Sequence, residues 1–257
     1  MNYKNQKIAV GIPAYNEQDT IGPVLEKTST YVPFIIVGDD GSDDLTSDIA
    51  KQHGTILVKH DSNEGYGAIL KSIFEKAKQI DVDILVTMDG DGQHNPEDLE
   101  NIIAPILNGE ADITIASRYL TRTSRKEIPY FRSIAIQIVT WIINKTSNLL
   151  ITDSQSGYRA YSKKAITVLD ISDKKMGASL EILYKADENN LSVTEVPTLI
   201  KYSRSTKKYN LFSQGVELFT SILKHIPSSP SGKTLSNGFN PYLSTFLICL
   251  SRLYSTK

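Results

Sequence analysis

The chain has 257 residues, of which 40% are hydrophobic and 22% charged, enough for one large α/β domain or one domain with a small appendage. Its 28 basic and 29 acidic side chains nearly cancel, which gives no electrostatic reason to expect a nucleic acid partner. The single cysteine, Cys249, excludes an internal disulfide framework and a cysteine-built zinc site, and suits a reducing compartment.

Met1–Lys7 lacks the apolar core of a signal peptide and leads straight into a strand-like run. Runs rich in β-branched residues lie at Ile8–Ile12, Phe34–Val37, Thr55–Val58, Ile84–Met88 and Ile113–Ala116. Helical patterns alternate with them at Thr20–Tyr31, Leu45–His53, Tyr66–Ile80 and Pro96–Leu107. The third is the clearest, with Ala68, Ile69, Ile73, Phe74, Ala77 and Ile80 on one face and Lys71, Glu75, Lys76 and Lys78 on the other. Asn95 followed by Pro96, Glu97 and Asp98 is a helix start, with a capping side chain, proline at the first position and acids in the first turn. This alternation predicts an α/β fold with a mostly parallel central sheet covered by helices on both faces.

Beyond Leu120 the character changes. Thr121–Glu127 is polar and basic, a long helix is expected near Arg132–Asn148, and Asp153–Ser162 is a polar, glycine-containing turn. Two further helical segments, a strand at Val193–Ile200, a basic loop at Tyr202–Tyr209 and a helix to Ile226 complete an expected domain over residues 1–226. Residues 227–257 then read as a flexible Ser/Pro/Gly-rich linker and a short apolar segment. No run reaches the ~20 consecutive apolar residues of a membrane-spanning helix. Ile134–Ile143 and Tyr242–Leu250 are expected to be buried helices, with interfacial contact as the second reading.

In open parallel sheets ligands bind beyond the carboxyl ends of the strands. Three polar clusters fall at such ends: Pro13-Ala14-Tyr15-Asn16-Glu17, Asp39-Asp40-Gly41-Ser42 and Asp89-Gly90-Asp91-Gly92-Gln93-His94. In the third, Asp89, Asp91 and Gln93 supply hard oxygen ligands on a backbone that two glycines let curl. Such a set suits Mg²⁺ or Mn²⁺, which complete their shell with waters and phosphate oxygens. A calcium loop is the competing pattern, but it needs a glycine where His94 stands and a helix rather than a strand ahead of it. In the second cluster Asp43 or Asp44 is expected to cap the next helix, leaving Asp39 and Asp40 free to accept hydrogen bonds from a ribose or a base. In the first, Pro13 stiffens the turn, Tyr15 offers a stacking face and Glu17 an acceptor. Neither a P-loop nor a dinucleotide fingerprint follows any strand.

The ordered set Pro13–Glu17, Asp39–Ser42, Asn63–Ala68, Met88–His94 and Ser117–Tyr119 resembles the family 2 glycosyltransferases of GT-A fold. Within them it is similar to the polyprenyl-phosphate (dolichyl-phosphate) sugar transferases, over about Ile8 to Ile226. The resemblance implies a nucleotide-sugar donor, a UDP- or GDP-sugar, contacted by Pro13, Tyr15, Glu17 and Asp40, and Ala14, Asp39 and Gly67 are further candidates for that contact. It implies a metal and the donor diphosphate held by Asp89, Asp91 and Gln93; Asp91, Arg118 and Asp153 are the candidate catalytic residues. It also implies a polyprenyl phosphate acceptor met by Arg118 and Arg132, and a basic loop, Arg204–Lys207, closing over the donor, Lys207 included. Arg159 and Arg204 are further cations suited to an anionic acceptor.

A polyprenyl phosphate oxygen is already ionised near neutral pH, so an inverting displacement needs no strong general base. Asp153 is the candidate base if one is needed; orienting Arg159 and capping its own turn are equal alternatives. A saccharide or protein hydroxyl is the alternative acceptor, and a non-catalytic nucleotide-sugar sensor the alternative class. The expected setting is cytoplasmic, peripheral at the membrane face, with a homo-oligomer left open.

Overall fold

In the computed structural model, which describes residues 6–199, the apolar runs form strands and the amphipathic patterns form helices around them. Strand β1 (Ile8–Ala14) is buried at every position, as befits a central strand covered on both faces. Helix α1 (Ile21–Ser29) buries Ile21, Val24, Leu25 and Thr28, the i, i+3, i+4, i+7 stripe of an amphipathic helix. Next come β2 (Phe34–Asp39), α2 (Thr46–Gln52), β3 (Ile56–Lys59), α3 (Tyr66–Gln79) and β4 (Ile84–Thr87). The Asn95 side chain accepts a hydrogen bond from the Glu97 amide and opens a short 3-10 turn, Pro96–Asp98, that runs into α4 (Leu99–Leu107).

The second half contains β5 (Ile113–Ser117), α5 (Arg122–Glu127), α6 (Tyr130–Thr146), β6 (Arg159–Ser162), α7 (Lys163–Val168), α8 (Ala178–Glu188) and β7 (Val193–Pro197). Two of these depart from the sequence reading. Thr121–Glu127 is largely helical, because Thr121 accepts from the Ser124 amide and caps α5. The expected turn at Asp153–Ser162 ends in a strand, β6, too short for its alternation to show. Helix α6 seats Ile136, Val139 and Ile143 in the core and leaves Tyr130 and Trp141 exposed. Among the described residues no helix is long and apolar enough to cross a membrane.

The seven strands make one sheet in the order β3-β2-β1-β4-β6-β5-β7. All neighbours are parallel except β6, which runs antiparallel to both β4 and β5. One core lies where α3, α6, α7 and α8 cover a face, through Phe74, Val139, Ile166 and Leu183. The other lies under α1, α2 and α4, through Leu25, Ala50, Ile102 and Ile103. Each of these Phe, Val, Ile and Leu side chains contributes roughly 1.5–3 kcal/mol by leaving water, and Ala50 less. Helix α3 approaches β2 so closely that a Cβ on Gly38 would stand 2.7 Å from Ile69 and 2.9 Å from Ile73. The expected boundary at residue 226, the basic loop with Arg204 and Lys207, the segment Tyr242–Leu250 and Cys249 lie outside the described residues.

Candidate active site

Strands β1, β2 and β4 run parallel, so the three polar clusters that follow them emerge at one end of the sheet. The first two are stitched together. Asn16, in a left-handed conformation (φ 54°), accepts from the Asp43 amide at 2.9 Å, and its own amide donates to Ser42 Oγ at 2.9 Å. The Glu17 amide donates to Thr46 Oγ1, and Thr20 Oγ1 donates to the Glu17 carboxylate at 3.0 Å. Pro13 and Ala14 belong to buried β1, whereas Tyr15 is 39% exposed at its mouth.

Asp39 and Asp40 are not free, contrary to the sequence reading. Asp39 is fully buried and accepts from the Ser42 amide and from Ser47 Oγ. Asp40 is 3% exposed; it lies 2.8 Å from His60 Nδ1 and accepts from the amides of Glu64 and Gly65 at 3.0 and 2.8 Å. Both acids fasten loops that fold over the end of β2. Gly67 is likewise a packing position: a Cβ there would meet Asp173 O at 1.9 Å and Lys175 O at 2.9 Å. Its amide and that of Ala68 donate to Lys174 O, which satisfies the opening turn of α3.

Beyond β4 stand Asp89 and Asp91. His94 Nε2 lies 3.2 Å from Asp89 Oδ2. Burial, the largest influence on Asp89, favours its neutral form, but the hydrogen bond and charge of His94 and the charges of Arg118 and Arg132 outweigh it and lower its pKa. Asp91 goes the other way: burial, then the neighbouring Asp89 charge, raise it. Gln93 donates to Asp91 from its backbone at 3.0 Å and from its amide nitrogen at 2.7 Å. Gln93 thus turns its donor, not its carbonyl, toward the pair. Among the described residues no group of three or more His, Cys, Asp or Glu side chains is placed to hold a metal alone. Two neighbouring carboxylates whose pKa values are moved in opposite directions nevertheless fit a dication that takes its remaining ligands from water and phosphate.

The arginines divide. Arg132, exposed on α6, directs its charge at Asp89. Arg118, just past β5, is 3% exposed, with Nε and Nη2 each 2.6 Å from the Asp153 carboxylate. In this arrangement Asp153 takes up the fork that the sequence reading assigned to an acceptor phosphate. Asp153 itself is fully buried; burial opposes its charge, but Arg118 and the hydrogen bonds from Arg118 and Gln155 hold its pKa below the usual carboxylate range. A carboxylate so stabilised is a poor proton acceptor, which corrects its reading as a base. Arg159 is corrected too. It is 1% exposed, and its guanidinium donates to the carbonyls of Ser156, Ser154 and Ser179. It holds the 154–156 turn to α8 and presents nothing to an acceptor. His94, Gly157 and Glu181 were not singled out as site or scaffold residues from sequence; only their burial and contacts mark them.

The sheet order, the single antiparallel insertion and the acids after β4 make this a GT-A fold, the nucleotide-diphospho-sugar transferase architecture. The chain belongs to the glycosyl transferase family 2, whose model matches residues 9–169, and it is a glycosyltransferase. An uncharacterised protein of Methanocaldococcus jannaschii is 34% identical, covering 83% of this chain and 87% of that protein. The UDP-N-acetylglucosamine–dolichyl-phosphate N-acetylglucosaminyltransferase of Methanococcus voltae is 32% identical, covering 75% of this chain and 84% of that enzyme. Among solved structures, the glucosyl-3-phosphoglycerate synthase of Mycobacterium tuberculosis bound to UDP superposes with a TM-score of 0.70 at 20% identity, covering 89% of this chain and 83% of that one. The same synthase has been solved with Mn²⁺ and UDP-glucose.

Proposed function

We propose that this glycosyltransferase moves a sugar from a nucleotide-diphosphate sugar to a polyprenyl phosphate, with inversion and with Mg²⁺ or Mn²⁺. The observation that carries the reading is the Asp89–Asp91 pair at the mouth of β4, two neighbouring acids where a diphosphate would lie. Asp89 and Asp91 would hold the dication, which when bound would supply Lewis-acid stabilisation of the departing diphosphate, and Gln93 fixes the Asp91 side chain. Tyr15, with Pro13, Ala14 and Glu17 beside it, forms the wall on which the nucleotide rests. Asp39, Asp40 and Gly67 shape that wall from behind.

An ionised phosphate oxygen attacks the anomeric carbon directly, and the bond to the diphosphate breaks on the opposite face. Arg132, whose charge reaches Asp89, draws the acceptor phosphate to that point. The commitment of Asp153 to Arg118 favours a pre-ionised acceptor over a hydroxyl that must lose a proton. The Methanococcus voltae relative, an N-acetylglucosaminyltransferase named for a dolichyl-phosphate acceptor, supports the same acceptor class. Transfer to such a lipid implies work at the cytoplasmic membrane face.

The test screens UDP-glucose, UDP-N-acetylglucosamine and GDP-mannose against a short-chain polyprenyl phosphate, with and without Mn²⁺ or Mg²⁺, and detects product by mass spectrometry. Metal-dependent appearance of a polyprenyl-phosphate sugar is expected. Transfer to a saccharide hydroxyl alone would refute the acceptor, and donor binding without turnover would refute catalysis.

A further inference from the structure

We propose that His94 and Gly157 are positioning residues that hold the Asp89 carboxylate between them, so that the affinity of the site for a cation–diphosphate pair depends on both. The proposal rests on the donor-site reading above and adds what fixes its geometry. His94 is 8% exposed, with its ring tilted against the fully buried Tyr158 at a centroid distance of 5.1 Å. Its Nε2 faces Asp89 Oδ2 at 3.2 Å, whereas its Nδ1 is buried with no hydrogen-bond partner among the described residues. A buried polar nitrogen without a partner costs free energy that an apolar ring would not. The imidazole is therefore suited to this place by its other edge, the Nε2–H that meets the carboxylate.

Gly157 closes the opposite side. A Cβ built there would stand 2.8 Å from both Asp89 oxygens and 3.1 Å from Cγ. Its φ lies outside the left-handed region, so the glycine serves space rather than backbone freedom. Thr87 Oγ1 donates to Gly157 O at 2.8 Å and pins this backbone to β4. Asp89 is thus gripped by a donor on one flank and a bare backbone on the other. Groups that orient a metal-binding carboxylate in this way typically change metal affinity or activity by about 10- to 100-fold when lost.

The experiment titrates Mn²⁺ into the full chain with UDP and, separately, GDP, following binding by calorimetry, and records melting temperature in parallel. His94→Phe keeps the ring against Tyr158 but loses the donor; His94→Gln keeps an N–H at comparable reach. Positioning predicts that His94→Phe weakens Mn²⁺ uptake by about 10- to 100-fold and that His94→Gln restores most of it. A merely space-filling role predicts the reverse order, and that order overturns the proposal. Gly157→Ala should weaken uptake by about tenfold without lowering the melting temperature, and it carries the test if His94→Phe does not fold. Wild-type protein that takes up no Mn²⁺ with either diphosphate overturns the donor-site reading itself. Wild-type uptake matched by His94→Phe and Gly157→Ala overturns the positioning alone.

Discussion

Glu181 on α8 is fully buried, and its carboxylate accepts from the amides of Ser172 and Asp173 and from Ser172 Oγ, with Lys185 Nζ at 3.0 Å. The 172–174 segment held in this way carries the Lys174 carbonyl that satisfies the start of α3. Burial opposes the Glu181 charge, but those hydrogen bonds prevail and bring its pKa from 4.5 to about 2. A lowered acid stabilises the native state above its unfolded pKa, and that contribution is lost as pH falls through the folded value. The full shift is worth about 3 kcal/mol. Screening at the Lys185 end, where the side chain is 25% exposed, trims this to about 2 kcal/mol at pH 7. By pH 3 the unfolded carboxyl is protonated while the folded one is mostly ionised, and about 1 kcal/mol remains. Glu181→Gln should therefore lower unfolding free energy by about 2 kcal/mol at pH 7 and about half that at pH 3, measured by urea denaturation. A gap that does not narrow between those pH values would refute the account of the charge as the fastening.

Asp91→Asn should abolish transfer with the melting temperature unchanged; wild-type turnover that still requires metal removes Asp91 from the mechanism. Asp153→Asn breaks a buried pair and should cost about 3–5 kcal/mol of stability in denaturant titration. A pure loss of kcat in a protein of unchanged stability would restore Asp153 as a base. Gly67→Ala drives a methyl into the Asp173 carbonyl and should destabilise by about 1–3 kcal/mol, read as a lower denaturation midpoint. Arg132→Ala should raise KM for the acceptor more than Kd for the donor, and an equal loss of both would make the residue structural.

The first half of the chain was legible because its strands are continuous apolar runs and its helices carry an unbroken 3.6-residue stripe, as in α1 and α3. Those same strands carry their polar clusters to one end, so the place of the site followed from order alone. The use of individual polar side chains did not follow. Arg159 and Arg132 are alike in sequence, yet β6 enters the sheet between β4 and β5 and draws Arg159 inward, while Arg132 begins a helix at the surface. Nothing local distinguishes them, because the four residues of β6 are too few to show a period. Asp39 and Asp40 were misjudged for a related reason. Their partners Ser47, His60 and Gly65 come from later segments whose fold over β2 is a tertiary fact.

This inward turn of charge bears on the chemistry. With Arg159 bound to carbonyls and two Arg118 nitrogens on Asp153, the exposed Arg132 adds its charge to that of Arg118 at Asp89. Two like charges 4 Å apart at a protein surface repel by about 4 kcal/mol. A diphosphate beside Asp89 and Asp91 would meet that repulsion from two sides. Burial and then the Asp89 charge already raise the Asp91 pKa before any substrate arrives. Proton uptake by Asp91 would relieve part of the repulsion but leave the phosphates without a counter-charge. A dication held by Asp89 and Asp91 would supply the counter-charge that proton uptake cannot, and this asymmetry is the physical reason to expect donor and metal to bind as a pair.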